Sequence, residues 1–118
     1  MDKFRYLIPF LTIVLSVACT TPAGIRENPP SIKYQSKKGS QVVAMCIADK
    51  WESGGLFGST VPVSMRPTSN GFTVSLAGAG NTMLLVDVES LANGSQTLYF
   101  KGIVWGEGSF DLIVKECQ

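Results

Sequence analysis

Apolar residues fall into three patterns along this chain, and each predicts a different element. Tyr6 to Val17 is a nearly continuous apolar run, broken only by Pro9, Thr12 and Ser16, and it follows a short positive start at Lys3 and Arg5. A helix that spans a bilayer needs about twenty apolar residues. This shorter run, followed by small residues, fits the apolar core of an export signal. From Thr20 to about Gly39 the pattern dissolves into Thr, Pro, Ser, Lys and Asn, with Pro22, Pro29, Pro30, Lys37 and Lys38. That composition predicts an extended linker. The alternative is that Ile32 to Tyr34 docks as an edge strand.

Helical spacing begins at Ser40, a residue able to cap a first turn. Val43, Ile47 and Trp51 recur at i, i+4 and i+8, with Cys46 beside them, while Asp49, Lys50 and Glu52 decorate the other side. Gly54-Gly55 ends the helix. Strict alternation then takes over. Val61, Val63 and Met65 form one strand, whose Pro62 places it at an edge. Phe72, Val74 and Leu76 form a second, Thr82 to Val88 a third and Gln96 to Trp105 a fourth. Asn70-Gly71 and Asn93-Gly94 mark turns. The last segment returns to helical spacing at Phe110, Ile113, Val114 and Cys117, with Ser109 as a cap and Asp111 in the first turn.

The predicted fold class is α+β: a four-stranded antiparallel sheet flanked by an N-terminal and a C-terminal helix, in the order α-β-β-β-β-α. Both helices lie over one sheet face, because each has a single apolar stripe to bury. The predicted organisation is a signal segment at 1–18, a flexible tether at 19–39 and a small α+β domain at 40–118.

Charge narrows the partners. The formal net charge is +1, and without Asp2, Lys3 and Arg5 eight basic and eight acidic side chains remain. A near-neutral domain lacks the basic surplus that nucleic acid or a polybasic membrane contact demands. The chain contains no histidine. The commonest general base and metal ligand is thereby removed, and a Ser-His-Asp or Cys-His site is impossible within the chain. No cofactor and no metal are expected.

Leu15-Ser16-Val17-Ala18-Cys19 resembles the lipobox of bacterial lipoproteins, in which small residues precede a cysteine that is acylated and becomes the mature N-terminus. The resemblance covers only the first twenty or so residues. It implies a signal peptide, lipidation of Cys19 with fatty-acyl chains such as palmitate, and residence in the cell envelope. With Thr20 after the cysteine, it implies the outer membrane, facing the periplasm. The sequence departs from the family in carrying Ser16 three residues before the cysteine, with leucine one place earlier. Ser16-Val17-Ala18 also suits an ordinary signal peptidase, which would release a soluble periplasmic protein. The chain has three cysteines, an odd number for an exported protein. If Cys19 takes lipid, Cys46 and Cys117 remain as one disulfide pair in an oxidising compartment; the alternative is that both are small buried thiols.

Several residues invite a functional reading, each with a plainer one beside it. Asp49 and Glu52 share a helix side and could act as paired carboxylates in a small hydrolase, or simply face solvent. Leu56 and Phe57, in the glycine-rich 54–59 loop, could anchor a partner or fold back into the core. Glu107, held between Gly106 and Gly108, could recognise a basic group or merely join strand to helix. Tyr99, Lys101, Ile103 and Trp105 share one face of their strand; they form either an aromatic stripe for a partner or part of the core. These features predict a non-enzymatic, lipid-anchored envelope accessory protein that binds another envelope protein. The alternative is an inhibitor of a cell-wall lytic enzyme, with Glu107 entering a basic cleft.

Overall fold

A computed structural model describes residues 21–53, 62–78, 81–102 and 108–118. Its elements run α1 (Pro22–Ile25), β1 (Ile32–Ser36), α2 (Ser40–Ser53), β2 (Val63–Thr68), β3 (Gly71–Gly78), β4 (Asn81–Leu91), β5 (Gly94–Lys101) and α3 (Gly108–Glu116). The fold is α+β with one antiparallel sheet, but the sheet has five strands in the order β1-β5-β4-β3-β2, not four. The fifth is β1, drawn from the segment expected to be a tether. It pairs with β5 from Ile32↔Tyr99 to Ser36↔Ser95. Ile32 and Tyr34 turn inward while Lys33 and Gln35 turn out, the alternation that a half-covered edge strand requires.

β3 and β4 make the central pair, in register from Phe72↔Val88 to Leu76↔Leu84. The register then shifts so that Ala77 faces Thr82, leaving Met83 as the extra residue of a bulge. Each of the two expected Asn-Gly turns is offset by one residue. Thr68 pairs with Gly71 and Leu91 with Gly94, so the two-residue turns are Ser69-Asn70 and Ala92-Asn93. Each glycine instead opens its strand where another backbone comes close. A Cβ on Gly71 would overlap the Val88 carbonyl oxygen, and one on Gly94 would overlap that of Ser36, with φ at +158° and +146° respectively.

α2 buries Val43, Ile47 and Trp51 against Val74, Leu76, Leu84, Val86 and Val88. α3 adds Phe110, Val114 and Cys117 to the same cluster. Trp51 occupies the junction: its indole N–H donates to the Phe110 carbonyl at 3.3 Å, and its ring meets Phe110 edge-on. Ser40, expected as a cap, pairs its hydroxyl with that of Ser90 at 2.6 Å, and the first helical carbonyl is that of Gly39, which accepts from Val43 N–H. The Cys46 and Cys117 sulfurs are bonded, with Cα atoms 5.7 Å apart, so the disulfide clamps α3 onto α2.

The other sheet face has a much smaller apolar patch. Ile25 of α1 packs on Leu85 and Phe100, with Leu98 alongside. Thr21 caps this single turn by accepting from Gly24 N–H at 3.1 Å. Around the patch the face is polar, because the residues that alternate with the core positions are Ser64, Arg66, Thr73, Ser75, Asp87, Lys33 and Gln35.

Candidate functional site

The sequence singled out residues that the fold sends to different places. Tyr99 is fully buried beneath the helices. Its hydroxyl donates to Asp111 at 2.8 Å, and Lys101 pairs with the same carboxylate. The stripe face of β5 is therefore the covered face, and Tyr99 belongs to the core. Asp111, expected to serve its own helix end, instead ties α3 to β5. Cys19 lies outside the described residues, as do Leu56, Phe57, Trp105 and Glu107. Asp49 and Glu52 both sit exposed on α2. Among the described residues, no group of three or more His, Cys, Asp or Glu side chains is placed to hold a metal ion. No helix among those residues is long and apolar enough to cross a membrane.

Two surface features remain, and both lie where sequence reasoning did not look. The first is at the sheet end that carries the β2–β3 and β4–β5 turns. There Val42 of α2 and Leu91 of β4 are 59% and 45% exposed. Both line an open groove of about 570 Å³, with Lys37, Gln41, Ser90 and Ala92 among its other lining residues. Met45, one turn along α2 from Val42, is also exposed. A large apolar residue left in solvent on the wrong side of an amphipathic helix was a visible signal. Val42 stands next to Val43 and off the Val43-Ile47-Trp51 stripe.

The second feature is a cleft of about 430 Å³ on the polar sheet face, beside α1. Arg26, just after α1, donates from Nε and Nη2 to the two carboxylate oxygens of Asp87 at 2.8 and 2.7 Å. Nη2 also reaches the Thr73 hydroxyl at 3.2 Å, and that hydroxyl donates to Asp87 at 2.7 Å. The hydrogen bonds that Arg26 donates to Asp87, with the charge of that carboxylate, raise the Arg26 pKa above the ordinary arginine value and outweigh desolvation. Arg66 sits beside Thr73 in the pairing register, on the other side from Asp87. It is exposed and makes no ion pair or hydrogen bond among the described residues. No spacing rule could have found this cluster, because it joins four segments of the chain.

No protein-family model, curated protein or solved structure matches this chain. Among the described residues it offers an open groove flanked by two exposed apolar side chains, Val42 and Leu91, at one end of the sheet, and a cleft on the open face lined by Ser, Thr and Arg residues.

Proposed function

We propose that this chain is a small accessory protein of the bacterial cell envelope, held by lipid on Cys19, that acts by binding another envelope protein. The signal segment exports it, cleavage after Ala18 exposes Cys19, and the acylated domain faces the periplasm from the outer membrane. The lipobox-like end at Leu15 to Cys19 supports the anchor. The lack of any histidine turns the chemistry away from imidazole-based catalysis and towards recognition.

The observation that carries the binding role is the exposed apolar pair Val42 and Leu91 on the walls of one groove. Leu85, against which α1 packs, is six residues before Leu91 on β4. At roughly 3.4 Å per residue the groove therefore lies about 20 Å along the sheet from α1. α1 is the element next to Cys19, so the groove is offset from the anchored end and open to a partner. A small apolar patch rimmed by polar groups is the usual anatomy of a modest protein interface.

The test is a photoreactive amino acid in place of Val42, activated in cells, with Cys19→Ser as the control. Capture of one envelope protein by the anchored chain, lost in the control, is the expected result. No specific product would overturn the partner, and the same product from both chains would overturn the role of the anchor.

A further inference from the structure

The cleft beside α1 has a composition suited to an anionic oxygen ligand. Five hydroxyl-bearing residues line it, Ser64, Thr68, Thr73, Ser75 and Thr82, together with Arg26 and Arg66, and among the described residues no Asp or Glu is on its walls. Asp87, just outside it, neutralises Arg26 through the two-point contact already described. Among the described residues one positive charge is left over, on Arg66. Its guanidinium faces the same polar row as Thr73, whose own hydroxyl is engaged with Arg26 and Asp87. A planar fork of donors with hydroxyls around it matches a phosphate oxygen pair. A single uncompensated charge matches a phosphodiester, which carries one negative charge.

Position selects the source of that phosphodiester. Pro22 forms part of the cleft wall. Cys19 stands three residues before it, so at most about 11 Å of extended chain separates the two. The polar headgroup layer of a leaflet is roughly 5 to 8 Å thick. An acyl group on Cys19 would thus bring the cleft to the depth of the headgroups. A long free tether would not do so, but α1 is packed on the sheet through Ile25 and pinned by Arg26.

We propose that this cleft binds the phosphodiester headgroup of a membrane phospholipid, with Arg66 as the side chain that meets the phosphate. The proposal rests on the lipid-anchored reading for its choice of source, while the binding itself does not need the anchor. Headgroup capture would orient the domain on its membrane, with the open sheet face towards the lipid and the covered face away from it.

The experiment uses the full chain in dodecyl maltoside micelles, which contain no phosphate. Dihexanoyl phosphatidylglycerol and inorganic phosphate are titrated separately, and the backbone amide resonances of Thr73 and Ser75 are followed. Saturable shifts are expected with the phospholipid at a concentration at least tenfold below that needed for phosphate. Arg66→Ala should abolish them, Arg66→Lys should weaken them, and Cys19→Ser should leave them unchanged. Equal half-saturation by the two probes would mean a free-anion site and overturn the headgroup assignment. No saturable shift, or a shift indifferent to Arg66→Ala, would overturn the site. The mass of Cys19 in protein from cells reports acylation separately, so failure of the anchor is distinguishable from failure of the cleft.

Discussion

Arg26 and Asp87, sixty-one residues apart in the chain, are joined by two hydrogen bonds of 2.8 and 2.7 Å across the open face of the sheet. This contact, the packing of Ile25 and the bond from Ser31 N–H to the Tyr99 carbonyl hold the segment before β1 against the domain. Because both side chains are partly exposed, the pair contributes at most about 1 kcal/mol.

Asp87→Asn should therefore lower global stability by no more than about 1 kcal/mol. It should nevertheless open the segment around α1 selectively. Hydrogen exchange at Gly24 and Ile25 amides, whose bonds run to Thr21, should speed up while β4 and β5 amides stay protected. Uniform acceleration across the sheet would show that the pair instead supports the whole fold.

The Cys46–Cys117 bond closes a loop of 71 residues. Loop-closure entropy puts its contribution at about 4 kcal/mol, a large share of the roughly 5 to 15 kcal/mol typical of a domain. Reduction, or Cys46→Ala with Cys117→Ala, should lower the urea midpoint by a corresponding amount. A midpoint unmoved by reductant would contradict the clamp between α2 and α3.

Gly71→Ala and Gly94→Ala should each cost more than about 1 kcal/mol, since the added Cβ would overlap a backbone carbonyl that has no freedom to move. Gly39→Ala, where a Cβ meets nothing within 4 Å, should cost less than either. Chemical denaturation of the three variants orders them directly.

Trp51→Phe should destabilise by about 1 to 3 kcal/mol, because it removes the indole N–H donor to the Phe110 carbonyl and shrinks a fully buried side chain. The loss should appear first at the α2–α3 junction. Faster exchange of α3 amides than of β3 and β4 amides would verify that order.

Val42→Asp and Leu91→Asp should separate binding from folding. Both residues are exposed, so stability should change by no more than about 0.5 kcal/mol. Crosslinking to the proposed envelope partner should fall sharply. Retained crosslinking by both variants would remove the groove from consideration.

Much of the architecture was legible because local and tertiary demands agree. The Val43-Ile47-Trp51 stripe predicted α2, the Phe110-Val114-Cys117 spacing predicted α3, and the alternation of Phe72-Val74-Leu76 predicted β3. In each case burial of one face is the cheapest way to satisfy the pattern. Pairing of Cys46 with Cys117 followed from placing both on the apolar sides of helices that share one face.

The rest depended on partners far away in the chain. Lys33 and Gln35 make β1 look like polar linker until β5 supplies its ladder. Pro22 to Ile25 is too short to show a helical period, and it forms where Leu85 and Phe100 need a cover. The twofold alternation of β5 put Tyr99 and Lys101 on one face, but alternation has no sign, and only the docking of both helices decided that this face was the inside. The amino-acid order by itself determined α2, α3, the four strands after α2 and their apolar sides, all of which are local properties. Which face stayed open, and which arginine among the described residues was left without a carboxylate, were decided by tertiary structure, because each depends on residues brought together across long loops.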